Sequence, residues 1–223
     1  MKAIAVDGPS GAGKSTMVKA IARKLGYIYV DTGAIYRAVG LFAVSAGIPR
    51  ENITDVIPML ERIAVTLAYE DDKQKIFLNG TDVSEEIRTP EISLYASAVS
   101  ALPEVRSKLL SLQRDLARIN NVIMDGRDIG TVVRPDADVK IFLTASAEER
   151  AMRRYRELVD KGMDVTYEQT LKEVLERDGN DESRAVAPLR PAEDAVIVDT
   201  TGKSREESLA MLFAEIEKRL GGC

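Results

Sequence analysis

The segment that most limits what this chain can become is Gly8-Pro9-Ser10-Gly11-Ala12-Gly13-Lys14-Ser15, a full match to G-x-x-x-x-G-K-[ST]. It directly follows an apolar run, Ala3 to Val6, and directly precedes a helical pattern marked by Met17, Val18, Ile21 and Leu25 and stopped at Gly26. Strand, glycine loop and helix in that order make a cradle for di- or triphosphate oxygens. The glycines let backbone N–H groups point inward, and the helix adds its positive end. Lys14 brings a point charge near the β and γ phosphates, the Ser15 hydroxyl is placed to coordinate Mg²⁺, and Thr16 completes the ATP-binding stretch. A second Gly-Lys-Ser, Gly202-Lys203-Ser204, has Ile197 where the first glycine belongs and reads as a loop and helix cap.

Further short apolar runs, Tyr27 to Val30, Asn121 to Met124, Val139 to Leu143 and Ala195 to Val198, have the length of buried strands. Helical patterns separate them, with starts marked by Ser146 and Glu149, by Thr166 and Gln169, and by Ser204 and Glu207. This alternation predicts an α/β fold with a five-stranded parallel sheet covered on both faces. Asp7, Asp31, Asp125 and Asp199 close strand runs and are expected at one edge of that sheet, where such folds bind ligands. Asp125 is the candidate metal-supporting aspartate, with Asp7, Asp31 and Asp128 as alternatives that would orient the metal's waters.

Two stretches interrupt the alternation. From Ala64 to Val83 the sequence reads as a small meander: Ala64 to Tyr69 and Ile76 to Leu78 are split by the polar Glu70 to Lys75, and an Asn79-Gly80 turn follows. From Ala147 to Arg190 it reads as helical and arginine-rich, with Arg150, Arg153, Arg154, Arg156, Arg177, Arg184 and Arg190 mostly on a solvated face.

Composition excludes several classes. The chain has 223 residues, 45% of them hydrophobic, enough for one substantial core. A net charge of −5 is the wrong sign for holding a nucleic-acid backbone, so anionic ligands must be met by a local pocket. The longest charge-free stretches, Ala38 to Pro49 and Ile92 to Pro103, are too short to span a membrane, and Asp7 ends the first apolar run too soon for a signal peptide. There is no histidine, and Cys223 is the lone cysteine, which leaves no zinc cluster and no internal disulfide. A cytoplasmic monomer is the default expectation. No Asn-Lys-x-Asp guanine reader occurs, which argues against a regulatory GTPase. A small-molecule kinase fits better, because arginines must neutralise two phosphate-bearing ligands.

Three further motifs follow strands or lie in the arginine-rich stretch: Asp31-Thr32-Gly33-Ala34-Ile35-Tyr36-Arg37, Gly126-Arg127-Asp128-Ile129-Gly130-Thr131, and Arg177-Asp178 followed by Arg184-Ala185-Val186-Ala187-Pro188-Leu189. With the phosphate-binding loop, this set resembles the bacterial-type cytidylate kinases, P-loop nucleoside monophosphate kinases, over nearly the full length. The resemblance implies a three-layer P-loop kinase. Its discontinuous core would span 1–40, 91–146 and 188–223, with a monophosphate-binding insertion at 41–90 and a helical lid at 147–187. It implies Mg²⁺-assisted transfer of the ATP γ-phosphoryl group to CMP or dCMP. Arg37, Arg127 and Arg184 would grip the CMP phosphate, and Ser97, Arg106 and Asp128 would read cytosine. Arg177 and Asp181 would reach the sugar and the transferred group, and Thr32 would bond the acceptor. Lys14, Arg127, Arg177 and Arg184 would be the catalytic cations, and Ser15 with Asp125 would hold the metal. A kinase for UMP or AMP, or an NTP-dependent switch without a small acceptor, are the alternative readings.

Overall fold

The computed structural model describes residues 1–70 and 73–221; Cys223 and the Asp71-Asp72 part of the polar stretch lie outside the described residues. The apolar runs form β1 (Ala3–Asp7), β2 (Ile28–Asp31), β6 (Val122–Gly126), β7 (Val139–Thr144) and β8 (Val196–Asp199). They make one parallel five-stranded sheet in the order β2-β6-β1-β7-β8. Alternation along β1 assigns its faces. Ile4 and Val6 pack under α1 (Lys14–Leu25) and α7 (Arg205–Leu220), with Met17, Ile21, Leu212 and Ile216. Ala3 and Ala5 face α4 (Pro103–Ile119) and a short turn at Ile129–Val133. Helices therefore cover both faces, as a parallel sheet requires.

The interruption after β2 begins with α2 (Thr32–Ser45), which runs through Leu41. It continues through a 3-10 segment at Arg50–Arg62 into a separate antiparallel sheet of β3 (Val65–Glu70), β4 (Lys73–Leu78) and β5 (Thr81–Asp82). Asn79 and Gly80 have φ of 50° and 84°, the paired positive values of a two-residue hairpin turn. The strands reach further than the apolar pattern indicates: Glu70 pairs with Lys73, so part of the polar stretch is strand. Polar residues at these strand ends carry no hydrophobic signal.

The arginine-rich stretch is not one continuous helical region. It holds α5 (Ala147–Asp160) and α6 (Tyr167–Ser183), and residues 184–190 are irregular. Pro188 offers no N–H, Ala187 has φ of 51°, and the Leu189 N–H turns back to the Asp181 carbonyl at 2.8 Å. The predicted caps at Ser146, Thr166 and Ser204 all form, the last two as complete capping boxes.

α2 and α3 (Pro90–Ser100) lie closely together because Gly40 has no side chain. A Cβ there would sit 3.0 Å from the Ala96 nitrogen and 3.1 Å from the Tyr95 Cβ, atoms fixed in the facing helix. Gly40→Ala gains about 1 kcal/mol of helix propensity and loses about 1–3 kcal/mol through overpacking. Because the obstruction is backbone, overpacking prevails. The expected outcome is a net loss of about 1 kcal/mol in urea unfolding, and a stabilised variant would show that α3 can retreat.

Candidate active site

The phosphate-binding loop leaves the end of β1 at Gly8, where a Cβ would meet the Leu143 carbonyl oxygen of β7 at 2.0 Å. Only glycine fits this close approach. Gly13 takes φ of 84° to enter α1, whose first residue is Lys14. The Lys14 ammonium is buried and donates to the carbonyls of Gly8 at 2.7 Å and Pro9 at 2.8 Å. Burial, and then the neighbouring Arg127 charge, push its pKa well below the usual lysine value. Such a cation gains from any anion that enters.

Ser15 Oγ donates to Asp125 Oδ2 at 2.7 Å, and the Tyr29 hydroxyl donates to the same oxygen at 3.1 Å. Burial pushes Asp125 up to about 6, and the nearby Asp31 charge adds to the rise. Among the described residues no group of three or more His, Cys, Asp or Glu is arranged to hold a metal. The Ser15 and Asp125 oxygens instead fit Mg²⁺ of the kind that keeps most of its ligands as water and substrate phosphate. The other strand-end aspartates are engaged differently. Asp7 accepts the N–H groups of Ile129 and Gly130, both at 2.8 Å, and burial pushes it up to about 7. Asp31 caps α2 by accepting from the Ala34 N–H at 2.9 Å. The Thr32 hydroxyl donates instead to the Asp125 carbonyl at 2.7 Å. Asp199 caps its own loop through Thr201, away from these groups.

Beyond the sheet edge lies a cavity of about 850 Å³. Ser10 to Thr16 line one side; Gly8 and Pro9 contribute only the carbonyls that hold Lys14. Thr32, Arg37, Ser97, Arg106, Arg127, Asp128, Arg177, Asp181 and Arg184 line the remainder, so every other predicted site residue is brought together. Arg37 binds Asp31 at 2.8 Å, and burial, which would raise that carboxyl, is outweighed by Arg37 and Arg88, leaving it below the usual range. Arg106 is paired with Asp128, and Arg184 approaches Asp128 at 3.8 Å and Asp181 at 3.9 Å. Arg127 binds Asp181 at 2.8 Å, and Arg177 donates to Ser10 Oγ at 3.2 Å. Burial and then the Arg127 charge push Arg177 down to about 10. Arg37 Nε, Arg177 Nε and Arg184 Nη2 are buried and have no hydrogen-bond partner among the described residues. Unsatisfied buried donors are costly, and the three side chains that carry them line one cavity. The arrangement suits polyanions.

Sequence reasoning missed several members. Arg88 reaches Asp31 at 3.5 Å, with no motif around it to mark it. Arg153, Arg154 and Arg156 line the cavity instead of lying on a plain solvated face. Arg150 is buried, donating to the Ser10 carbonyl at 3.0 Å and to Asp178 at 2.6 Å. The Lys203 and Ser204 of the second Gly-Lys-Ser, read as a loop and cap, also line the cavity.

A family model described as cytidylate kinase matches residues 4–218. A cytidylate kinase of Caldicellulosiruptor saccharolyticus is 50% identical over 218 residues, covering 98% of this chain and 96% of the relative. One of Carboxydothermus hydrogenoformans is 52% identical over 216 residues, covering 97% of each. Among solved structures, an uncharacterized protein from Eubacterium ventriosum shares the fold with a TM-score of 0.53 at 11% identity, over 97% of this chain and 98% of that one. No described helix is long and apolar enough to cross a membrane. With the phosphate-binding loop, the arginine cavity and end-to-end similarity in agreement, the chain belongs to the cytidylate kinase family of enzymes.

Proposed function

We propose that the protein transfers the γ-phosphoryl group of ATP to CMP or dCMP, giving ADP and the cytidine diphosphate. The observation that carries this reading is the shared cavity: a phosphate-binding loop on one side, and on the other three arginines that each have one buried guanidinium nitrogen without a hydrogen-bond partner among the described residues. The acceptor is a phosphate oxygen with a second pKa of about 6, already mostly ionised near neutral pH. No general base is required, which suits a chain without histidine. The task is to hold two anions in line and offset their repulsion.

In this reading Arg37, Arg127 and Arg184 hold the CMP phosphate, where forked guanidinium donors match its oxygens. Lys14 and Arg177 face the transferred group, and the remaining loop residues from Gly8 to Thr16 hold ATP. Asp128, Arg106 and Ser97 read cytosine: a carboxylate accepts from the N4 amine, and the other two offer donors to its ring acceptors. Uracil presents a carbonyl where Asp128 expects an amine, so UMP is disfavoured. Thr32 lies toward the acceptor, and Asp181 reaches the sugar and orients Arg127. Ser15 and Asp125 would hold Mg²⁺, which when bound offsets phosphate charge. The segment 41–90 is proposed as the monophosphate-binding insertion and 147–187 as the lid, on a core of 1–40, 91–146 and 188–223. The charge spread over most helices is the basis for reading a monomer, and the cysteine-poor composition supports a cytoplasmic enzyme.

Diphosphate formation from ATP and Mg²⁺, with CMP, dCMP, UMP, AMP and GMP offered separately, tests the reading directly. Strong preference for CMP and dCMP is expected; transfer to none of the five would reject it. Lys14→Ala should lower turnover by about 10²-fold or more. Its melting temperature should be kept or raised, because burial and Arg127 already penalise the lysine charge. Undiminished turnover would remove the phosphate-binding assignment. Arg37→Lys should raise KM for CMP by about tenfold with little change for ATP, since a single ammonium cannot serve Asp31 and a phosphate together. Equal changes for both nucleotides would contradict a role on the CMP side.

A further inference from the structure

Asp7 ends β1, and the next residue opens the phosphate-binding loop. Its carboxylate is absent from the cavity wall and only 4% exposed. It turns sideways, Oδ1 accepting the Ile129 N–H and Oδ2 the Gly130 N–H, both at 2.8 Å. Those donors open the turn directly after Arg127 and Asp128. Two bonds to two oxygens fix both position and tilt, where one bond would leave a pivot. The far end of the turn is held by Arg114, which donates to the carbonyls of Val132 at 2.9 Å and Val133 at 3.2 Å. Beneath it, a Cβ on Gly126 would lie 2.6 Å from Ile129 Cδ1 and 2.7 Å from Thr32 Oγ1. The turn is clamped on three sides, and Asp7 is the clamp that belongs to the strand carrying the ATP-side loop.

The geometry points to Asp7 as a positioning residue for base selection: it fixes the height of the turn presenting Arg127 and Asp128 relative to the phosphate-binding loop, so one strand end sets the registry of both nucleotides. The inference rests on the CMP reading proposed above. Selection between an amine and a carbonyl depends on a carboxylate held to within about 0.5 Å. A turn free to tip lets Asp128 retreat from a mismatched base, and discrimination falls. Asp7→Asn keeps size and shape but sets an amide N–H against a backbone N–H, so one bond becomes a repulsion.

The test compares wild type, Asp7→Asn and Asp138→Asn in steady-state kinetics with ATP against CMP and UMP. Asp138 is the control, because its Oδ2 accepts the Ala3 N–H at 2.8 Å at the opposite end of β1. Asp7→Asn is expected to raise KM for CMP by about tenfold and to reduce the preference for CMP over UMP similarly, with KM for ATP changed less than about twofold. Asp138→Asn should lower the melting temperature and alter neither constant. A folded Asp7→Asn with unchanged KM for CMP, or with equal increases for CMP and ATP, overturns the inference. Amide exchange in the wild type is an independent measure that needs no variant to fold. Slow exchange at Ile129 and Gly130 without nucleotide supports the clamp; fast exchange that slows only after CMP is added overturns it. A wild type indifferent to the monophosphate offered would reject the CMP reading itself, and with it the selection role, whereas the exchange result would still report on the clamp.

Discussion

Under the proposed function the cavity takes two polyanions, and the concentration of positive charge this demands is the constraint around which its surroundings are arranged. Two cations about 4 Å apart repel by about 4 kcal/mol at the effective dielectric of a protein surface. Burial first, and then this crowding through Arg127, lower the pKa values of Lys14 and Arg177. Aspartates offset it: Asp31 for Arg37 and Arg88, Asp128 for Arg106 and Arg184, Asp181 for Arg127. The whole chain is acidic at −5, so the positive field is local to the cavity and owes nothing to net charge. Each aspartate also restrains the guanidinium it neutralises.

These pairs hold because the sheet delivers their members to one edge. β1 lies between β6 and β7, and Asp7 pairs in register with Gly126. The phosphate-binding loop and the Gly126–Gly130 turn therefore emerge side by side from neighbouring strands. On the other flank, Gln74 of the small sheet accepts from the Asp31 N–H at 2.8 Å and donates to its carbonyl at 3.3 Å. That amide ties the antiparallel sheet to the same edge, at the residue whose side chain caps α2 and holds Arg37.

The strands and the phosphate-binding loop were legible in the sequence because each has a local cause. Apolar runs of strand length, glycines before a helix and serine or threonine caps act within a few residues. The pairing of Arg106 with Asp128 was not readable from spacing; the family resemblance put both on the base-reading side. Arg150 was misread as surface charge, since nothing near it shows that it meets Ser10 across 140 residues of chain. Arg88 lacked a signal for the same reason. The cap of α2 was a closer contest: Asp31 and Thr32 are both good N-cap residues, and the Asp125 carbonyl takes the threonine hydroxyl, leaving the cap to the aspartate. The irregular 184–190 segment was hidden by composition that favours helix up to Ala187, although Pro188 was the available warning.

Under the proposed reaction, the absence of histidine follows from the chemistry. An ionised phosphate acceptor needs no proton removed, so catalysis reduces to position and charge, and the positive charge that meets the phosphates is best supplied by groups that do not titrate near neutral pH. Guanidiniums meet that demand and a lysine-rich site would meet it less well, because an ammonium offers one centre where an arginine offers a planar fork. Arginines are long and flexible, however, and a fork gains its advantage only when its stem is fixed. Arg150 illustrates the solution: it spans Ser10 of the phosphate-binding loop and Asp178 of α6, tying that loop to the helix beside Arg177. The donor side and the arginines opposite it are thus joined through buried contacts, and the turn carrying Arg127 and Asp128 is joined to the same loop through Asp7. In the proposed reading, these buried contacts tie the groups that meet one nucleotide to those that meet the other.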